Sequence, residues 1–470
     1  MTANFARGAA GGACLALLGM ISGCASAGRP TDLGRVQELL AERGSWRLPA
    51  TTSADTAVTM WARRVVRGEV PIDTAVKVAL LMNRNLSATL EEVGLAQADL
   101  RQAGLLANPV VSVERLASGA GSVRLAGVVL PLVDALQRPL RTRVSESALR
   151  AAEQRVADAV IDLAKRVRVA YVMTQAATQM VELWTTVGAA TSASATSARV
   201  LHAAGNLPDL VLAQERAMAG QAQVSLIRAR EEQQVTRAEL SRLMGLDATD
   251  TTWTVASRLA DPEDAGPTGR DVVQVALVRR LDLRARRQDV ETRARALGLT
   301  QRFALLADGT IGLGYEREPD GAFRGGGFSL PLPFFDRGQA RIARDRALLR
   351  QSVALHDAAV VDVSAEVTTL AARMAGARAR ALQLRTDVLP ARSLVVSEMQ
   401  RFVNAMQETI FTLLLARQAE VEAGQSYVEA LAAYWTTRAE LERAAGGSLV
   451  PLSEEERREA TQKQPTGSAP

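Results

Sequence analysis

The chain has 470 residues, with 56 Lys+Arg against 51 Asp+Glu, two His, two Cys, 34 Gly and only 4% aromatic residues. Its charges are interspersed rather than clustered, which argues against a nucleic-acid partner. Sparse aromatics with abundant Ala and Gly suit long, closely packed helices better than one bulky globular core.

Arg7 is the only charged side chain in residues 1–23. An apolar run from Ala9 through Leu18, ending at Gly19 and Met20, has the layout of a secretory signal. It is too short to span a membrane as a helix. Ile21-Ser22-Gly23-Cys24 follows and resembles the bacterial lipobox, in which small residues allow cleavage before a Cys that already carries a diacylglycerol. Residues 1–23 are therefore predicted to be a lipoprotein signal peptide, residues 24–70 an N-terminal lipid-anchored segment, and Cys24 the lipidation site, acylated by chains such as palmitate. The bland alternative is that Cys14 and Cys24 are incidental apolar residues. Several acyl chains on one residue would meet the need for more than one lipid signal in a stable anchor. Ala25 stands where many inner-membrane lipoproteins carry a retaining Asp, so outer-membrane sorting is the expectation. With Cys14 removed, no disulfide can form within the mature chain. No later run of about twenty apolar residues occurs, so any membrane crossing must be made by strands.

Residues 71–250 and 268–447 read as two copies of one unit. Ala79 to Ala88 aligns without a gap against Ala276 to Ala285. Leu130-Pro131-Leu132 then matches Leu330-Pro331-Leu332, and Arg237-Ala238-Glu239-Leu240 matches Arg438-Ala439-Glu440-Leu441. Three anchors in one order at nearly one separation indicate a tandem duplication. Each copy is predicted as helix, two strands, a very long helix, a break and a return helix. The first helix is placed at about 72–106 and 271–305. Strands are placed at 110–116, 123–132, 310–317 and 326–335, with Gly and Pro residues supplying the turns. The long helix is placed at about 141–204 and 337–401, and the return helix at about 209–243 and 408–445. About sixty helical residues reach on the order of 90 Å, far beyond a compact domain.

Within the long helix, Val160, Leu163, Val167, Ala170, Thr174, Ala177, Val181 and Trp184 alternate at three and four residues. The second copy repeats this seam at Val360, Val363, Val367, Leu370, Met374, Ala377, Ala381 and Leu384, and begins it earlier, at Leu349, Val353 and His356. A 3.5-residue spacing is the signature of left-handed supercoiling. Four strands in one chain cannot close a barrel, and open sheet edges are forbidden in lipid, so a membrane-spanning reading requires several chains to share one barrel. The fold class is thus mainly α with a small β part. Residues 448–470 are polar and read as a mobile tail.

Two junctions, Ala98-Asp99-Leu100-Arg101-Gln102-Ala103-Gly104-Leu105-Leu106-Ala107-Asn108-Pro109 and Ser329-Leu330-Pro331-Leu332-Pro333-Phe334-Phe335-Asp336-Arg337-Gly338, resemble the outer-membrane efflux protein family, the TolC-like channels. The resemblance extends from about residue 72 to residue 447. It implies a homotrimer whose strands close one outer-membrane barrel and whose coiled-coil helices form a tube across the periplasm. Such a tube is the exit duct of a tripartite efflux or secretion system, with a periplasmic adaptor and an inner-membrane transporter of the RND type as partners. The resemblance also places the helix-to-helix breaks at the periplasmic tip, where an adaptor contact or gate would involve Gly205, Asn206, Asp209, Arg401 and Glu408. Copy two lacks the tip glycine of copy one.

No HExxH, GxSxG or CxxC motif occurs, nor a phosphate-binding loop. The chain is accordingly read as a passive conduit, not an enzyme, with no cofactor or metal beyond the covalent lipid. A lipid-tethered structural periplasmic coiled coil without a channel is the alternative; the duplicated strand pairs argue against it.

Overall fold

The computed structural model describes residues 31–44, 48, 56–118, 121–247, 252–263, 269–304, 309–318, 320–330, 332–447 and 449. The predicted signal peptide, Cys24 and nearly all of the predicted tail lie outside these residues.

The first copy comprises α1 (Gly34–Ala41), α2 (Thr56–Val65), β1 (Gly68–Glu69), α3 (Ile72–Met82), α4 (Arg84–Gly104), β2 (Val110–Ser118), β3 (Gly121–Pro131), α5 (Leu132–Ala203) and α6 (Asp209–Met244). The strand β4 (Trp253–Thr254) lies in the connection. The second copy follows as α7 (Gly269–Arg279), α8 (Leu281–Phe303), β5 (Thr310–Glu318), β6 (Gly321–Ser329), α9 (Gln339–Gln383), a π-helical turn (Leu384–Val388), α10 (Leu389–Asn404) and α11 (Ile410–Ala444). The duplicated helix-strand-strand-helix-helix order is therefore present.

Three element predictions require correction. The first helix of each copy is broken in two, at Asn83 and at Arg280. Asn83 adopts an extended conformation and caps the next helix, its Oδ1 accepting from the Leu86 amide at 3.0 Å. Strand β6 ends at Ser329 instead of Phe335. Leu330 already lies outside the ladder, and the prolines of Leu330-Pro331-Leu332-Pro333 have no amide to extend it. Finally, α5 begins at Leu132, directly after β3, with Pro139 in its early turns, so the long helix has 72 residues and reaches roughly 108 Å.

The two copies lock together at mid-length. Helix α5 packs against α3, α4 and α6 of its own copy and against α8 and α11 of the other. A buried core of Val76, Val78, Val93, Val160, Val167, Leu240 and Met244 sits where α3, α4 and α6 meet α5. Its counterpart in copy two is Val275, Val363, Val367, Leu370 and Leu441. Each return helix ends in a left-handed glycine set directly on the break of the first helix. At Gly245 (φ 71°) an added Cβ would lie 2.3 Å from the Met82 carbonyl oxygen. At Gly446 (φ 82°) it would lie 2.8 Å from the Arg279 carbonyl carbon. Only glycine meets both the conformation and the approach.

The connection between the copies is bound to α5. Strands β1 and β4 pair in parallel, Trp253 is buried, and Arg237 stacks 4.2 Å from its ring centre. The Tyr171 hydroxyl donates to the Val70 carbonyl at 2.8 Å and accepts from the Ala256 amide at 3.2 Å.

Candidate functional site

Three surfaces carry the functional argument: the sheet at one end, the seam along the long helices, and the turns at the other end.

The sheet has the order β2-β3-β5-β6 and is antiparallel throughout. Its outer strands, β2 and β6, have no further strand beside them among the described residues. The register sorts the side chains into two faces, because residues two apart on a strand share a side. One face carries the cross-strand rows Leu130/Ile311/Phe328, Val111/Val128/Leu313/Gly326 and Val113/Ala126/Tyr315/Arg324. The other carries Val110/Val129/Gly312/Gly327, Ser112/Gly127/Gly314/Gly325, Glu114/Leu125/Glu316/Phe323 and Leu116/Val123. The first is an apolar band; the second is glycine-rich in its middle rows, with apolar residues beside them and its acids toward the hairpin end. Val111, Val113, Leu313 and Phe328 on the apolar band are exposed in the single chain. Each strand, at 9 to 11 residues, has the length of a tilted transmembrane β-strand. No helix among the described residues is long and apolar enough to cross a membrane.

The seam is closed in copy one, where Val160, Leu163, Val167, Ala170, Thr174 and Ala177 are buried and Val181 and Trp184 are half-buried. In copy two it is closed from Val363 to Ala381. Its early part is not: Leu349 and His356 are half-buried and Val353 is exposed. Leu355 and Val361 on the same helix are exposed as well. The reason is position, since α5 is sheathed by helices of both copies while α9 packs chiefly against α7, α8 and α11 of its own copy. The Nδ1 of His356 is shielded without a hydrogen-bond partner.

Both helix-to-helix turns share one backbone shape. In the first, Gly205 has φ 76°, its amide donates to the His202 carbonyl at 2.8 Å, and the Asn206 amide donates to Leu201 at 2.9 Å. In the second, Met406 takes the glycine's place with φ 59°, donating to Val403 at 3.0 Å, and Gln407 donates to Phe402 at 2.9 Å. The missing glycine therefore leaves the fold of the second turn unchanged. Its cost is a strained residue, and Met406 projects into solvent, 95% exposed. Asp209 engages His202, with Oδ1 2.6 Å from Nε2, across the first turn. Arg401 pairs with Glu398 on its own helix at 2.7 Å. Glu408 has no ion pair among the described residues, so Arg401 and Glu408 are not brought together. Beside these turns Leu210, Phe402 and Ile410 are exposed, an apolar rim that charge-based reasoning passes over.

Between the ends lies a charged girdle. Arg443 on α11 reaches Asp158 at 3.3 Å and Asp162 at 3.7 Å, both on α5. Arg168 on α5 pairs with Glu442 at 2.8 Å, and Glu442 also meets Arg438 at 3.2 Å. Burial pushes the Asp158 carboxyl up to about 6, against the opposing pull of Arg443. Burial likewise pushes Asp282 up, but Arg280 beside it outweighs this and holds the carboxyl below its ordinary value. A cavity of about 390 Å³ opens here, lined by Arg43, Asp73, Lys77, Lys165, Arg168 and Glu442 among others. These groups knit the two copies together.

No family model matches the chain, and no curated protein matches it in sequence. Solved structures do match. A membrane protein from Pseudomonas aeruginosa is similar with a TM-score of 0.67 and 20% identity, covering 86% of this chain and 99% of that one. The outer membrane protein VceC from Vibrio cholerae gives 0.67 at 16% identity, covering 81% and 97%. The open state of the MtrE outer membrane channel from Neisseria gonorrhoeae gives 0.59 at 18%, covering 87% and 98%. The chain has the fold of these outer-membrane channels across nearly their whole length.

Proposed function

We propose that the chain is the exit-duct subunit of a tripartite efflux or secretion system in the outer membrane. The observation that carries the reading is a four-stranded sheet with one apolar face and two edges unpaired among the described residues, mounted on long helices of which α5 reaches roughly 108 Å. Such a sheet cannot stand alone in lipid. Three copies related by a cyclic axis would pair β6 of one with β2 of the next and remove every edge. The same arrangement would cover the exposed part of the copy-two seam. Small residues on the inner face would leave the bore wide.

The chain carries out no covalent chemistry in this reading. Energy comes from an inner-membrane transporter, of the RND type by resemblance, through a periplasmic adaptor that meets the turns around Gly205, Asn206, Asp209, Arg401 and Glu408. Cys24 bears a lipid that tethers the N-terminal segment to the same membrane. The shared fold with solved outer-membrane channels supports the location and the passive role.

The decisive experiment is electrical. Full-length protein extracted in detergent should form a heat-sensitive trimer that adds discrete conductance steps to a planar bilayer, and deleting the gene should sensitise cells to an exported toxicant or abolish a secretion phenotype. Monomers that never conduct would return the case to a tethered coiled coil.

A further inference from the structure

The hairpin end of the sheet carries a feature that the duct reading leaves unexplained. Arg115 lies directly opposite Arg124, and Arg124 directly opposite Arg317, so three guanidinium groups share one cross-strand row. Cβ atoms in such a row are about 5 Å apart, and like charges there repel. Arg324 sits one row inward on the same face, its guanidinium 5.9 Å from the Tyr315 ring centre. All four arginines are exposed, and none makes an ion pair with a carboxylate among the described residues.

Alternation removes the obvious remedy. Glu114, Glu316 and Glu318 occupy positions that point to the opposite face. The described residues of the apolar face hold four arginines and no acid. Closing the barrel with further copies, as the proposed function requires, adds the same face again and supplies no acid either. The neutralising charge must come from outside the protein.

Position says what it is. The arginine row lies six residues along each strand from the Leu130/Ile311 row, roughly 20 Å, with the apolar band between them. It therefore sits at the far edge of the hydrocarbon-facing band, on the side away from the helices. We propose that Arg115, Arg124 and Arg317, aided by Arg324, bind phosphate-bearing headgroups of anionic lipid in the leaflet reached by the hairpins. Guanidinium forks suit phosphate oxygens, and Tyr315 is the interfacial aromatic that accompanies them. This inference rests on the duct reading, because it needs the apolar face to meet lipid.

The test uses the full-length protein inserted into vesicles holding equal amounts of phosphatidylglycerol and phosphatidylcholine, then extracted in mild detergent, with retained lipids counted by mass spectrometry. Wild-type protein should retain the anionic lipid over the neutral one by at least about fivefold, the size expected if even one of these basic side chains engages an anionic headgroup. Arg115→Gln/Arg124→Gln/Arg317→Gln should insert and lose the preference, and the corresponding triple Lys variant should keep part of it. Inorganic phosphate should not displace the lipid; displacement would mark a soluble-anion site and overturn the proposal. Inserted wild-type protein that retains both lipids equally overturns this inference alone. Wild-type protein that does not insert into the vesicles overturns the duct reading and this inference with it.

Discussion

The Nδ2 of Asn83 donates to the carbonyl of Leu243 at 2.9 Å, joining residues 160 positions apart. That bond fixes the break of the first helix onto the end of the return helix, where Gly245 brings the two backbones together. The second copy keeps the glycine, Gly446, but replaces the amide by Arg280, which pairs with Asp282 at 2.7 Å and with Glu366. One junction is thus held by a neutral hydrogen bond and the other by buried charge.

Gly245→Ala should therefore cost at least about 2 kcal/mol, because the new methyl meets the Met82 carbonyl and the residue must hold a positive φ. Asn83→Ala should cost about 1–3 kcal/mol by leaving the Leu243 carbonyl unpaired and the helix uncapped. Chemical denaturation of the detergent-solubilised protein measures both. A loss within experimental error for Gly245→Ala would mean that the junction yields.

At the second turn Met406→Gly should stabilise the local structure by about 1 kcal/mol, since glycine takes the left-handed conformation without a Cβ penalty. Hydrogen exchange at the Met406 and Gln407 amides should slow by about fivefold. If the exposed methionine is also part of the adaptor contact, the same change should weaken pump assembly in cells while the turn itself becomes firmer. Gly205→Met in copy one should show the opposite sign in exchange.

At the first turn Asp209→Asn removes the anion from the His202 pair. Exchange of the amides from 204 to 211 should quicken, and the effect should be confined to this turn because the pair is exposed. Unchanged exchange there would show that the backbone hydrogen bonds of Gly205 and Asn206 hold the turn unaided.

The duplication, the long helices and the turns were legible because they depend on local signals: repeated anchors, three-four periodicity, Gly and Pro. The breaks at Asn83 and Arg280 were not, since the helical pattern of residues 79–88 and 276–285 runs straight through them. What interrupts the helix is a partner more than a hundred residues away. Residues 330–335 misled for the opposite reason, being apolar enough for a strand while prolines deny it the ladder. The sorting of the sheet into two faces also escaped the sequence, because both residue sets along β3 are apolar. Only the register places Val113 beside Ala126 and Tyr315, and Arg115 beside Arg124 and Arg317. Among the tip residues, Asp209 found a partner in His202, whereas Arg401 and Glu408 did not find each other.

Cys24→Ala separates the two membrane attachments that the sequence suggests. If the shared barrel is the principal one, the variant should reach the outer membrane in smaller amount, yet purified trimers should insert into vesicles as the parent does. Fractionation of cells and vesicle flotation read the two effects independently. Complete loss of membrane association would leave the lipid as the sole anchor and the barrel without support.

The charged girdle gives the chain a pH dependence whose sign follows from Asp158. Its carboxyl is pushed up from an ordinary 3.8 to about 6, mainly by burial. Between those values the folded chain binds a proton that the unfolded chain has released. Stability contributed by this group is then highest at the acid end and falls as pH rises from about 4 through 6, beyond which it is constant. Other carboxylates, such as Asp282, are held low and push the opposite way, so the comparison must be between proteins. Asp158→Asn keeps the shape, leaves Arg443 the Asp162 carboxylate at 3.7 Å, and removes the proton. The variant should gain stability relative to the parent at about pH 7 and not at about pH 4, as read by denaturation midpoints at each pH. A variant that instead loses stability at about pH 7 relative to about pH 4 would mean that the Arg443 contact at 3.3 Å, not burial, governs the group.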